Sequence, residues 1–279
     1  MTSQLFVGED HTAKYRLYRP GYPKEVFEHI RNYYFDGKST DEKIPLAVDV
    51  ACGSGQATVD LSSFCERVIG TDVSADQIAH AIPKDNVEYR CSPGEDLSFL
   101  ESNSVDLITI ATALHWLDVE KFLKEVQRVL KPHVGVIAIW TYSFGSLEHP
   151  DADAVYQEFH QVTLKPYANE KQPLVTNYYQ SLIPLFPYKS TLQEYTIESR
   201  SESTLEPFLS ALETVSPAQT YRKQMGEQKY QELFNTLREK FIQAYRKSEV
   251  QNDKDQVGDA NQIKITGVRP IRLYLMKKN

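Results

Sequence analysis

A buried-strand pattern that runs into a glycine turn constrains the fold of this chain more than any other feature. Residues 46–50 form a short, mostly apolar run, as expected of a strand buried on both faces. Gly53 and Gly55 follow, and they permit a tight turn whose backbone N–H groups can approach a ligand. From Gln56 onward the apolar spacing is that of a helix. This order predicts the nucleotide-type site of a doubly wound α/β sheet.

A second strand pattern ends in an acid and narrows the choice of ligand. Residues 67–72 read as a strand, and Asp72 lies 19 residues after Gly53. A carboxylate at the tip of the neighbouring strand can accept hydrogen bonds from both hydroxyls of a ribose. Thr58 stands where a dinucleotide fingerprint has its third glycine, and no phosphate-binding lysine follows the turn. The pattern favours a ligand with ribose and adenine but no phosphate, and S-adenosylmethionine is such a ligand.

Five segments together are similar to one known family. Residues 48–55, 70–74 and 104–109 resemble the class I S-adenosylmethionine-dependent methyltransferases. Within that family the chain is most similar to the trans-aconitate methyltransferase group, through residues 15–23 and 115–118. The resemblance implies a Rossmann-like α/β fold, with a seven-stranded, mostly parallel sheet, helices on both faces and a helical cap. It also implies S-adenosylmethionine as the cofactor.

The length of 279 residues suits one large α/β domain, and we expect a single methyltransferase domain over residues 1–279. The strand and helix patterns divide it into a core (about 24–143, 190–200 and 261–279) and two cap insertions (about 144–189 and 201–259). A cap of this kind favours a small, enclosed substrate. The resemblance implies that the N-terminal segment (about 1–23) is a lid rather than only a turn-rich lead-in to the first helix.

Composition excludes several classes of partner. The net charge of −7, without a basic block, argues against nucleic acid as a partner. No apolar run approaches the roughly 18 residues of a membrane span. The chain has three cysteines, an odd number, and no C-x-x-C pair, so we expect free thiols. No signal-peptide pattern opens the sequence, and we therefore expect a cytoplasmic location. We also expect a monomer or a weak homodimer.

The resemblance and the strand ends predict the residues that bind the cofactor. After the third predicted strand, either Glu95 or Asp96, or only a backbone N–H, would contact the adenine. Ligands of open α/β sheets lie beyond the carboxyl ends of the strands, which places the end of the fourth strand near the reactive sulfur. The predicted cofactor-binding residues are Tyr18, Arg19, Asp49, Ala51, Gly53, Gly55, Asp72, Val73, Gln77, Glu95, Asp96, Ala111, Thr112 and His115. Ala51 departs from the glycine that the family usually has there.

The predicted reaction is methyl transfer to a small carboxylic acid. A carboxylate is ionised at neutral pH and needs no general base, and no His, Cys or Asp cluster has metal-ligand spacing. The predicted catalytic and substrate-anchoring residues are His115, Trp116, Tyr142 and Arg222, although Arg222 is equally compatible with a solvated helix face. Transfer to a phenol, an amine or an isoprenoid is an alternative, as is a protein that binds S-adenosylmethionine without catalysis.

Overall fold

A computed structural model describes residues 21–249 and 262–279 of the chain. Tyr18, Arg19 and most of the predicted lid lie outside the described residues. The charged, polar composition of residues 246–260 predicts a loop, and most of that segment also lies outside the described residues. The strands are β1 (Ile44–Val50), β2 (Cys65–Asp72), β3 (Val87–Cys91), β4 (Leu107–Ala111), β5 (Val136–Tyr142), β6 (Ser146–Leu147), β7 (Gln193–Thr204) and β8 (Lys264–Lys277).

Helices flank and cap these strands. The α-helices are α1 (Lys24–Tyr34), α2 (Gln56–Leu61), α3 (Ala75–Ala79), α4 (Val119–Val129), α5 (Pro150–Glu158), α6 (Gln172–Thr176), α7 (Leu205–Glu213), α8 (Ser216–Met225) and α9 (Glu227–Glu249). The 3₁₀ turns are Leu114–Trp116, Lys165–Tyr167, Gln180–Leu185 and Lys189–Thr191, and a π-helical segment spans Phe159–Thr163. Helix α9 continues through Arg246, where the sequence predicted a loop.

The strands form one sheet in the order β3-β2-β1-β4-β5-β8-β6, and β7 also pairs with β8. The first five strands are parallel, whereas β8 runs antiparallel to β5, β6 and β7. The chain leaves β1 toward β2 and later returns on its other side as β4, so the carboxyl ends of β1 and β4 form a topological switch point. The predicted Rossmann-like fold is confirmed, with the two-residue β6 as an eighth strand.

Alternate residues of the central strands serve two different cores, as a sheet covered on both faces requires. On one face Val48 and Ile139 pack with α4 residues such as Phe122. On the other face Ala47 and Trp140 pack with residues of α1. The switch point therefore lies between two hydrophobic cores, one on each face of the sheet.

A third core joins the two insertions above the sheet. It combines residues of β6, α5 and the π-helical segment with residues of α7, α8 and α9. The first insertion is not wholly part of it, because Val175, Tyr179, Leu182 and Phe186 pack on the sheet instead. In the described ranges, no helix has the length and apolar character that crossing a bilayer would require. Cys52, Cys65 and Cys91 are free.

A long two-stranded ribbon carries the sheet beyond its parallel part. The last residue of β5, Tyr142, pairs with Ile271, and β8 continues past it for residues 264–270 along β7. The apolar alternation of the C-terminal residues predicts two short strands, 263–265 and 270–276, with a break before Pro270. In the structure Pro270 instead lies inside β8, where the partner of β8 changes from β5 to β6. A proline is tolerated at such a gap, since it cannot donate a ladder hydrogen bond. The ribbon of β7 and β8 thus forms one side of the space beyond the carboxyl ends of the parallel strands.

Candidate functional site

The turn after β1 has left-handed backbone at three positions: Ala51 (φ 54°), Gly53 (φ 58°) and Gly55 (φ 90°). Ala51 occupies the position where glycine was expected, and an L-residue in this conformation costs about 1–2 kcal/mol. A Cβ on Gly55 would lie 2.2 Å from the Tyr89 hydroxyl, so that glycine is required by packing within the protein. A Cβ on Gly53 would meet nothing closer than 3.9 Å, so the space beside Gly53 is open.

Asp49 is fully buried at the end of β1, and threonine hydroxyls satisfy its carboxylate. Thr58 Oγ1 donates to Oδ2 over 2.6 Å, and Thr109 Oγ1 donates to Oδ1 over 2.7 Å. Burial raises the pKa of Asp49 to about 6, although the two hydroxyls oppose the shift. Thr58, whose presence counted against a dinucleotide, therefore has a structural role in this turn.

Asp72 links the tip of β2 to the glycine turn. Its Oδ2 accepts a hydrogen bond from Gly53 N at 2.9 Å, and its Oδ1 accepts one from Ser74 N at 2.8 Å. Burial raises the pKa of Asp72, and these backbone donors oppose the shift. Each carboxylate oxygen keeps a second lone pair, so the predicted bonds to two ribose hydroxyls are compatible with this arrangement. The ribose role stays a prediction.

The first cavity, of about 260 Å³, lies at the switch point. Nine of the predicted cofactor residues line it: Asp49, Ala51, Gly53, Asp72, Val73, Gln77, Glu95, Ala111 and Thr112. Gly55 and Asp96 do not. Asp96 is exposed, and its Oδ1 accepts from Ser98 N, whereas Glu95 borders the cavity and its Oε1 accepts from Asp118 N over 2.7 Å. Of the two acids left open by the sequence, Glu95 is therefore the one at the cavity.

Two buried amide groups in this wall fit a polar ligand. Gln56 Nε2 and Gln77 Oε1 have no hydrogen-bond partner among the described residues, and both side chains line the first cavity. Buried polar atoms without partners are costly, and a ligand with hydroxyl, amino and carboxylate groups would satisfy them. S-adenosylmethionine has these groups, so the residues present fit it. Gln56 was missed because its position in the helical pattern carried no distinguishing signal.

A second cavity, of about 430 Å³, lies under the cap. Thr112, Trp116 and Tyr142 line both cavities, so the two spaces meet at the carboxyl ends of β4 and β5. Thr112 has left-handed backbone (φ 52°), which is rare for a β-branched residue, and its buried hydroxyl has no partner among the described residues. Such strain is concentrated at functional sites.

His115 was predicted at the cofactor, but it lines the second cavity instead. Its ring is 7% exposed, and its Nδ1 lies 2.7 Å from the hydroxyl oxygen of Tyr179. Burial lowers the pKa of His115 to about 4, and the charge of Lys171 contributes in the same direction. His115 is therefore neutral near pH 7.

Arg269 of β8 brings a permanent positive charge to the second cavity. Its guanidinium carbon lies 4.7 Å from the centre of the Tyr142 ring, a cation–π distance. Arg269 pairs with Ser199, and Gly267 pairs with Ser201, so alternate residues of the ribbon share this face. Glu202 also borders the cavity, but it occupies the opposite side of the pleat and is exposed.

His160 lies in the π-helical segment at the edge of the second cavity. Its ring stacks on Phe144 at 4.1 Å between centres, and burial lowers the pKa of His160 to about 3. Neither ring nitrogen has a hydrogen-bond partner in the described part of the chain. π-Helical segments are frequent at functional sites.

Arg222 lies apart from both cavities, contrary to the sequence prediction. Its Nε forms an ion pair with Glu227 at 2.6 Å, and its guanidinium packs over the Tyr230 ring. The side chain is 48% exposed. Arg222 therefore lies on a solvated helix face, which is the alternative that the sequence left open. The prediction of an anchoring role failed because the helical pattern of α8 did not reveal which side faces the cavity.

The comparisons with known proteins agree with this geometry. Residues 48–139 match the methyltransferase domain family. A Dictyostelium discoideum protein described as a methyltransferase is 36% identical over 177 residues, which are 63% of this chain and 64% of that protein. A Saccharomyces cerevisiae protein described as an S-adenosylmethionine-dependent methyltransferase is 30% identical over 156 residues, 53% of this chain and 51% of that protein. The chain thus spans 51–64% of the length of these two relatives.

One solved structure is similar over almost the whole chain. It is described as a type II methyltransferase from Anaeromyxobacter dehalogenans, and it is 26% identical with a TM-score of 0.72. The match covers 93% of this chain and 97% of that one, so the likeness includes the cap as well as the sheet.

Proposed function

We propose that this chain acts as a class I S-adenosylmethionine-dependent methyltransferase and transfers a methyl group to a carboxylate oxygen of a small acid. The methyltransferase-domain match and the methyltransferase relatives support the first part of the proposal. S-adenosylmethionine would occupy the first cavity and the acid the second. The sequence similarity to the trans-aconitate methyltransferase group supports an acidic acceptor.

This proposal rests on the residues that line both cavities and on Arg269, which lines the second cavity. Thr112, Trp116 and Tyr142 line both spaces, so a donor and an acceptor could meet there. Arg269 supplies the only guanidinium among the described residues that line the second cavity. A guanidinium matches a carboxylate in bidentate fashion, which orients the acceptor as well as binding it.

The protein needs to supply positioning rather than proton transfer. When bound, S-adenosylmethionine provides a methyl group that its sulfonium already activates. The Tyr142 ring packs against the guanidinium of Arg269, and the cap would shield a bound acceptor from water. A carboxylate is ionised near pH 7 and requires no base. Burial lowers the pKa of His115 to about 4, so His115 is a weak base. A weak base at this position is consistent with a reaction that needs no general base.

Two alternatives remain to be separated from this proposal. A phenol, amine or isoprenoid acceptor would leave Arg269 without an anionic partner. A non-catalytic protein would bind the cofactor through the first cavity alone. The intact hydrogen bonds of Asp49 and Asp72 support cofactor binding in either case.

A labelled-methyl transfer assay against mono-, di- and tricarboxylic acids, phenols and amines tests the proposal, with product masses determined. Calorimetric titration with S-adenosylhomocysteine reports cofactor binding separately. Arg269→Gln should raise the KM for the acid by roughly 10- to 150-fold, the loss expected for hydrogen bonds to a charged group. Arg222→Gln, an exposed arginine outside the cavities, is the matched control.

Methylation of a phenol or an amine, with no acid accepted, would replace the carboxylate proposal by the first alternative. Tight S-adenosylhomocysteine binding without transfer to any compound would favour the non-catalytic one. Equal effects of the Arg269 and Arg222 variants would remove Arg269 from acceptor binding.

A further inference from the structure

The second cavity contains a histidine whose tautomer the protein itself can set. His115 lies in the 3₁₀ turn directly after β4, with its Nδ1 2.7 Å from the Tyr179 hydroxyl oxygen. The hydrogen bond uses the Nδ1 edge of the imidazole and leaves Nε2 on the other edge of a residue that lines the second cavity. Which group donates decides whether Nε2 carries a hydrogen.

The surroundings of Tyr179 indicate the direction of this hydrogen bond. Tyr179 is fully buried, and burial raises its pKa, so the hydroxyl keeps its proton. The backbone of His115 and Leu114 opposes part of this shift in the pKa of Tyr179, and His115 Nδ1 lies within hydrogen-bond distance of the hydroxyl. The Thr141 hydroxyl also lies near this oxygen and lowers the Tyr179 pKa, as a donor to the phenolic oxygen does. The Tyr179 proton is therefore left for Nδ1 of His115.

We infer that Tyr179 holds His115 as the Nε2–H tautomer, so that the second cavity presents a hydrogen-bond donor to an acceptor oxygen. Tyr179 is then a positioning residue that acts through His115. The role in substrate recognition rests on the proposed function, because it assumes that the acceptor occupies this cavity. Together, Arg269 and His115 would offer donors only, which favours an oxygen-rich anion over an ammonium group.

The backbone around Tyr179 is held in an unfavourable conformation, which fixes the position of the Tyr179 side chain. Tyr178 (φ 54°) and Tyr179 (φ 61°) are consecutive residues in the left-handed region, which bulky side chains rarely adopt. The Tyr274 hydroxyl donates to the Tyr178 carbonyl over 2.5 Å, and Tyr179 N donates to Leu174 O over 2.8 Å. Neighbouring elements thus hold this unfavourable conformation and keep the phenol against His115.

Nitrogen-15 NMR of the full chain, labelled at histidine, tests the tautomer without a substrate. The His115 signals are assigned by their loss in His115→Gln. We expect a protonated Nε2 and an unprotonated Nδ1 in the original protein. In Tyr179→Phe the two nitrogen shifts should move toward each other as the tautomers mix. Tyr188→Phe, which removes a buried hydroxyl that has no hydrogen-bond partner among the described residues, should leave them unchanged.

Kinetics then test the role in recognition. Tyr179→Phe should raise the KM for the acid roughly 3- to 10-fold, as for loss of a neutral hydrogen bond, with unchanged S-adenosylhomocysteine affinity. A protonated Nδ1 in the original protein, or the same shifts in Tyr179→Phe, would overturn the inference. The spectrum of the original protein decides even if Tyr179→Phe does not fold. If no acid is methylated, the proposed function fails while the tautomer result stands.

Discussion

At the scale of single residues, the first cavity depends on a carboxyl group that is buried without a cationic partner in the described structure. Asp49 is held by the hydroxyls of Thr58 and Thr109 alone. A buried charge that only hydroxyls satisfy is costly, which explains why burial raises the pKa of Asp49 to about 6 from an ordinary 3.8. The same acid is well placed to face a cationic ligand.

Asp49→Asn should remove a pH dependence of stability. Since the folded pKa of Asp49 is the higher one, its stabilising contribution is present below pH 4 and is lost as the pH rises through 6. The free energy of unfolding of the original protein should therefore fall by roughly 2–2.5 kcal/mol, relative to Asp49→Asn, between pH 4 and pH 7. Urea unfolding at a series of pH values measures this. Asp76→Asn, at an exposed acid, should follow the original curve; if Asp49→Asn did so too, the buried-charge account would fail.

His160→Phe should stabilise the free protein by about 1 kcal/mol or more, because it removes two buried nitrogens without partners and keeps an aromatic ring on Phe144. The KM for the acceptor should rise a few-fold if the acceptor contacts this ring. Thermal and urea unfolding, followed by kinetics, measure the two effects. His149→Phe is the control with the opposite sign, since it removes the side-chain cap of α5. A loss of stability in His160→Phe would show that its nitrogens are satisfied.

At the scale of elements, the parallel strands could be predicted because each is a short apolar run bounded by turn residues. Most residues of the first cavity follow from strand ends and glycine spacing. The second cavity could not be predicted in the same way. Its charge, Arg269, depends on the register of β7 against β8, and the sequence suggested a break in β8 at Pro270. The sequence analysis assigned the anchoring role to Arg222 because the sequence of a helix does not show which of its arginines faces a cavity.

Gly145 offers a test of how the ribbon places Arg269. A Cβ at this position would lie 2.3 Å from Val268 O and 2.4 Å from Arg269 Cγ, and the backbone there is left-handed (φ 77°). Gly145→Ala should therefore displace β8 locally, destabilise the protein by about 2 kcal/mol or more, and raise the acceptor KM.

Gly37→Ala is the matched control for Gly145→Ala. Gly37 has almost the same φ (74°), but a Cβ there meets nothing within 4 Å. It should show only the conformational cost, about 1–2 kcal/mol, with unchanged KM. Urea unfolding and kinetics on both variants separate the two contributions. Equal losses of stability, with equal KM values, would mean that Gly145 does not position Arg269.

At the scale of the whole molecule, the sheet edge and the cap enclose two cavities that share one wall. The sheet supplies the residues of the first cavity, and the ribbon and cap supply most of the second. The cap packs around a third hydrophobic core, to which strands β6 and β8 also contribute, and this core supports the cap side of the second cavity. Burial lowers the pKa values of His115 and His160 and raises the pKa of Tyr156, and all three residues line the second cavity.

The pH dependence of the reaction tests this arrangement as a whole. The pKa values are lowered to about 4 for His115 and about 3 for His160, and raised to about 12 for Tyr156. With an acid as acceptor, kcat/KM should therefore stay within about twofold from pH 6.5 to 9 at saturating cofactor, because the acid is already ionised. A phenol or amine must lose a proton, so its rate should rise up to about tenfold per pH unit below its pKa. A rise of that kind with the acid would contradict both the carboxylate mechanism and the neutral, donating His115.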